Sequence, residues 1–184
     1  MKSAISLYSH SRGKRLAFTA LFAALCLVGT LVIQIPLPFG YFNAGDVFVL
    51  LSAWFLGPLY GAIAAATGSA LADIVAGYAL YAPATFLIKG LDALVAYTVC
   101  AFLKKYIQKE RLDFLPRILS GILGEAVMIL GYFAYECVLY GLAGGIATLI
   151  GNVLQGVFGI VLATALFSVL YSIKSLRNFL HLEN

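Results

Sequence analysis

The chain has 184 residues, 62% of them hydrophobic and 11% charged, and a formal net charge of +4. A soluble domain carries about 25% charged and about 45–50% apolar residues, so this composition excludes a soluble globular protein and points to an integral membrane protein. The cations sit beside apolar spans and form no cluster on a polar face, which excludes a nucleic-acid binder and makes them topology signals.

Residues 1–15 are polar and basic (Lys2, Arg12, Lys14, Arg15) and predict a cytoplasmic lead-in. The first predicted span, 16–35, is long enough to cross a bilayer, so it does not read as a cleavable signal peptide. It is closed by Pro36 and Pro38, and it carries Ala20 and Ala24 one turn apart. Small residues four apart let helices approach closely in a membrane. The loop to Gly45 holds no Lys or Arg. Span two, 44–56, is short against the ~20 residues a crossing needs. Gly57-Pro58 ends it, because proline cannot continue the hydrogen-bond ladder. Span three, 59–76, is rich in Gly and Ala, and residues 77–83 make a turn with tyrosines at the interface. Span four, 84–103, carries Lys89 and Asp92. The segment KKYIQKERLDFLPR then interrupts the apolar pattern. Span five, 118–140, holds Glu125, Tyr132, Tyr135 and Glu136. Span six, 146–171, holds Asn152 and Gln155, and a basic tail follows.

Placing both termini in the cytoplasm puts every Lys and Arg except Lys89 on the inner side, and none in an outer loop. That is the asymmetry the positive-inside rule requires. The expected fold is a single all-α membrane domain, 1–184, a bundle of six transmembrane helices with cytoplasmic N- and C-termini. Topology converts position into depth. At ~1.5 Å per residue, Lys89 lies about 9 Å below the outer face, Asn152 and Gln155 about 9–14 Å, and Glu136 and Tyr132 about 6–12 Å. One outer layer therefore gathers a cation, a carboxylate, two amides and tyrosines, which is the content of a buried ligand site. Asp92 and Glu125 lie deeper.

Each residue also has a plainer role. Lys89 and Asp92, three apart, suit pairing with each other. Asn152 and Gln155 suit interhelical hydrogen bonds. Glu136 suits solvation near the interface, and Asp46 and Asp73 suit helix ends. Trp54 and the outer tyrosines read as interfacial anchors. Cys26, Cys100 and Cys137 lie within apolar segments and read as buried structural cysteines. No Ser-His-Asp, HExxH, P-loop or GxGxxG set is present, so neither catalysis, a metal nor a cofactor is expected.

The run YFNAGDVFVLL, FLGPLYGAIAAATGSALADIVAGY and ALYAPATFLIKGLDALVAY resembles the substrate-binding S components of energy-coupling factor (ECF) vitamin transporters. Within that family it is most similar to the branch associated with riboflavin, hydroxymethylpyrimidine and pyridoxine-like substrates. The resemblance implies a subunit of the bacterial or archaeal cytoplasmic membrane that binds a vitamin or precursor under its outer loops. It also implies docking on a transmembrane coupling subunit that bears two cytosolic ATPases. The family's small-residue docking motif falls on Ala20 and Ala24. Family pockets draw on the first outer loop and the last three helices, which matches Asn43, Lys89, Tyr132, Glu136, Asn152 and Gln155. Hydroxymethylpyrimidine ranks first among substrates, then pyridoxine, then riboflavin. The alternative is a self-sufficient channel or ion-coupled carrier using Asp92 and Glu125; a lipid-acting enzyme ranks last.

Overall fold

A computed structural model describes residues 12–36, 41–107 and 114–173. The topology cations Lys2, Lys109, Arg111, Lys174 and Arg177 lie outside the described residues. The described chain is helical apart from one small hairpin. Helix α1 spans Arg12–Val32, strands β1 and β2 span Gln34–Pro36 and Tyr41–Asn43, α2 spans Gly45–Leu56, α3 Pro58–Val75 and α4 Ala82–Leu103. The last helical stretch, Leu115–Ser172, is interrupted at Gly141, whose φ of 75° and ψ of 175° are non-helical. It thus divides into α5 (115–140) and α6 (142–172). Glycine alone enters that left-handed region without a Cβ penalty. A Cβ at Gly121 would meet Ile160, one at Gly156 would meet Glu125, and one at Gly145 would meet Cys137, so the two arms run antiparallel.

The hairpin departs from the all-helical expectation. The first helix stops at Val32, and residues 34–36 pair antiparallel with 41–43 in the register Gln34 to Asn43. Pro36 drives the residue before it into extended backbone. Pairing with β2 then satisfies main-chain groups that a bare loop would leave open at the mouth of a bundle.

Four helices among the described residues are long and apolar enough to cross a membrane: α1, α3, α4 and the stretch containing α5 and α6. Helix α2 has only twelve residues and buries eleven of them. Its short length is tolerated because α1, α3, α4 and the last stretch wall it in on every side. The α2–α3 reversal is made by Gly57 at φ 85°, with Pro58 opening α3. Proline suits that first helical position, where its missing N–H would have had no partner. A Cβ at Gly61 would meet Ser52 O at 2.7 Å, so these two backbones touch. Likewise a side chain at Gly68 would collide with the Ala23 carbonyl of α1.

The densest apolar packing lies toward the Gly57 end. Trp54 meets Phe167 edge-on at 6.0 Å, and Phe55 stacks on Phe167 at 4.6 Å. The Arg117 guanidinium covers Phe167 at 3.9 Å. Trp54 is therefore no interfacial anchor: its ring fills the core and its indole N–H donates to Ser120 Oγ at 3.2 Å. A buried indole needs such a partner. The perimeter is the reverse of a soluble protein. Leu87, Leu130, Val138, Ile150 and Val161 are exposed, while Asp46, Lys89, Asp92 and Glu125 are buried. Apolar side chains outward and charges inward suit hydrocarbon as solvent. Cys26 and Cys100 are buried, Cys137 is half-buried, and all three are free thiols.

Candidate functional site

The opposite end of the bundle is the hairpin end, where α2 and α6 begin and α3 and α5 finish. Asn43 closes β2 immediately before α2, and its Oδ1 accepts from the Gly45 N–H at 2.8 Å. It does the work of a helix cap, since Ala44 at the cap position offers no side-chain acceptor. The backbone N–H and Nδ2 of Asn43 both donate to Gln155 Oε1, at 2.9 and 3.1 Å. Gln155 in turn donates through Nε2 to Asp46 Oδ2 at 2.7 Å. The other oxygen of Asp46 is ion-paired with Lys89 Nζ. Both partners are buried, at 1% and 3% exposure. An ion pair this dry is retained only with its remaining valences satisfied, and Gln155 supplies that bond.

The chain of polar groups continues outward from Lys89. Its ammonium lies 5.6 Å from the Tyr132 ring centroid, within cation–π range. Tyr132 Oη is 2.9 Å from Thr85 Oγ1. Thr85 spends its proton on Asp73 Oδ2, which leaves the tyrosine hydroxyl to donate to Thr85. One network thus joins β2, α2, α3, α4, α5 and α6. It holds the mouth of the bundle by hydrogen bonds and the base by apolar packing.

Four of the six expected ligand residues, Asn43, Lys89, Tyr132 and Gln155, share this network. Glu136 does not. It is buried, where sequence position suggested solvation, and it accepts from Thr148 across the α5–α6 pair. Asn152 lies one turn before Gln155 on α6, and its Nδ2 is buried without a hydrogen-bond partner among the described residues. An outer tyrosine set surrounds this layer: Tyr81 packs edge-on against Tyr78 at 6.3 Å and Tyr135 at 5.5 Å. Tyr135 donates to the Leu80 carbonyl at 2.6 Å, pinning the α3–α4 turn to α5. Ala20 and Ala24 are both exposed on the outward face of α1.

Three features escaped the sequence. Lys89 pairs with Asp46 across 43 residues, and its neighbour in sequence Asp92 is not its hydrogen-bond partner. Asp46 does stand in the first turn of α2, as its sequence position suggests, but it is also a buried hub. Asp92 and Glu125 converge on it, their ligand atoms lying within 4.8 Å of one another and of Asp46. Thr85 and Thr148 carry no sequence signal at all, because an isolated threonine in an apolar helix usually bonds its own backbone.

The family model described as "ECF-type riboflavin transporter, S component" matches residues 11–172. A curated protein of Pyrococcus woesei, described as "Uncharacterized protein in gap 3'region", is 35% identical over 145 residues, which is 78% of this chain and 92% of that protein. A solved structure described as "Structure and mechanism of the S component of a bacterial ECF transporter" superposes with a TM-score of 0.66 at 22% identity. The superposition covers 88% of this chain and 98% of that one. At that identity the likeness establishes the fold.

Proposed function

The chain belongs to the ECF-type riboflavin transporter S component family, and on that footing we propose that it captures a small water-soluble vitamin or precursor at the outer face of a prokaryotic cell membrane. The observation that carries this reading is the network Asn43–Gln155–Asp46–Lys89–Tyr132. It places amides, a cation and an aromatic face together at one end of an otherwise apolar bundle. The bundle is a single membrane domain of six spans, with α5 and α6 counted separately. Its hairpin end faces outward and both termini face the cytoplasm, as the distribution of Lys and Arg favours. Asn43, Lys89, Tyr132, Glu136, Asn152 and Gln155 contact the ligand. The Asn152 Nδ2, unpartnered among the described residues, supports its assignment, because a buried donor without a bond is costly until something accepts from it.

A small heteroaromatic ring suits this set, so hydroxymethylpyrimidine is the leading candidate, with pyridoxine and then riboflavin behind it. Ala20 and Ala24 meet an EcfT-like transmembrane coupling subunit, and two cytosolic ATPases bound to that subunit supply the energy. The exposure of both alanines supports a docking role.

The test is to purify the chain alone in detergent, denature it, and identify any copurified small molecule by mass spectrometry. Calorimetry against the three vitamins follows if it arrives empty. A stoichiometric vitamin or precursor establishes the binding role and names the substrate. A protein that carries nothing and binds none of the three sinks the substrate ranking.

A further inference from the structure

A cluster of three carboxylates lies at the base of the ligand network, sharing Asp46 with it and extending toward the Gly57 end through Asp92 and Glu125. Asp46 of α2, Asp92 of α4 and Glu125 of α5 are exposed by only 1%, 0% and 2%. Their ligand atoms all lie within 4.8 Å of one another. An ion that holds oxygens at about 2.3–2.6 Å spans about 4.6–5.2 Å between oxygens on opposite sides, so one cation reaches all three carboxylates. The second observation is independent of the clustering. Both oxygens of Asp92 and both of Glu125 are buried with no hydrogen-bond partner among the described residues. Buried polar atoms normally find a partner, and carboxylates pay the most when they do not.

Charge accounting gives the class of ion. Metal binding requires its carboxylate ligands ionised, and three ionised carboxylates against one ammonium, Lys89, would leave two negative charges for the cation to neutralise. Asp46 spends its two oxygens on Lys89 and Gln155, but a carboxylate offers about four lone-pair sites and so keeps room for a metal. The surrounding backbone is shaped to these side chains. A Cβ at Gly124 would fall 2.5 Å from Asp92 Oδ1, and one at Gly159 would fall 3.1 Å from Glu125 Oε1. Larger residues there would press on the carboxylates.

We propose that Asp46, Asp92 and Glu125 bind one divalent metal cation of about calcium's size in the bundle core. Oxygen-only donors select a hard cation, and two excess negative charges match its valence. The linear sequence hides the site, because its three ligands come from three helices with no motif spacing. The ion sits against the Lys89–Asp46 pair, and so against the base of the ligand network. The site does not depend on the transport reading, since its measurement uses no vitamin.

The test uses the full chain in detergent, stripped with a chelator and desalted, with calcium chloride as the probe and magnesium and sodium chlorides as comparisons. Retained calcium is counted by mass spectrometry, and unfolding is followed by the fluorescence of Trp54, the single tryptophan. The expected result is about one calcium per chain and an unfolding midpoint that rises with calcium, as ligand binding to the native state requires. Asp92→Asn and Glu125→Gln, which keep side-chain shape, each weaken the calcium response at least tenfold. No retained calcium and no shift in the wild type overturns the site, whatever the variants do. An undiminished shift in both variants also overturns it, because the ion then binds elsewhere. A stronger response to magnesium overturns the size assignment, and a stronger response to sodium overturns the divalent one.

Discussion

Lys89 and Asp46 neutralise each other where neither can reach water, and that makes the pair sensitive to loss of one member. Breaking a buried pair from one side costs about 3–5 kcal/mol, because the remaining charge has no solvent. Lys89→Met should therefore lower the unfolding midpoint read from Trp54, and adding Asp46→Asn should recover most of the loss. A double variant no more stable than the single one would mean that the lysine stem, and not its charge, does the stabilising. The proposed ligand role separates from stability at Asn152. Asn152→Ala removes an amide whose Nδ2 has no hydrogen-bond partner among the described residues, so it should leave the unfolding midpoint nearly unchanged and weaken vitamin binding about tenfold, or ~1.4 kcal/mol. Unchanged affinity by calorimetry removes Asn152 from the pocket. Charges and amides inside an oily run were legible as interior groups, since hydrocarbon tolerates them nowhere else. Their partners were not. Local spacing paired Lys89 with Asp92, whereas the packing of α2 against α4 presents Asp46 first.

Among the elements, the breaks were easier to read than the bonds that cross them. Gly57-Pro58 and the small-residue face of α3 were visible because each follows from one residue's backbone or size. The β1–β2 hairpin was not, because three-residue strands carry no periodicity, and the twelve-residue α2 looks inadequate until its neighbours are seen around it. Two glycines separate conformational from packing effects. Gly141 has open space where a Cβ would go but a φ of 75°. Gly141→Ala should cost only the backbone strain of that glycine-favouring conformation, about 1–3 kcal/mol. Gly68 is helical and faces the Ala23 carbonyl. Gly68→Val should separate α1 from α3 and yield protein that aggregates on extraction, measured as the monodisperse fraction in size-exclusion chromatography. A well-behaved Gly68→Val would mean that α1 can shift freely on α3.

At the level of the whole molecule, the apolar perimeter suits a surface that faces lipid and is also proposed to dock a coupling subunit. Ala20 and Ala24 are exposed, so enlarging them costs nothing inside the bundle. Ala20→Trp and Ala24→Trp should leave vitamin binding to the isolated chain intact and lower uptake by the assembled transporter in cells or liposomes. Normal uptake with both variants removes the docking role of this face.

The hydrogen-bond network also sets a timetable. Asp46 emerges from the ribosome 43 residues before Lys89 and 109 residues before Gln155. For the 43 residues until Lys89 is made, α2 therefore carries a carboxylate with no cation to pair it, and for 109 residues it lacks the Gln155 amide. Its lodging must wait for α4, and the hairpin beside it must wait for α6. The second helix of this bundle is thus completed by partners that the chain makes long after it, the last of them on α6.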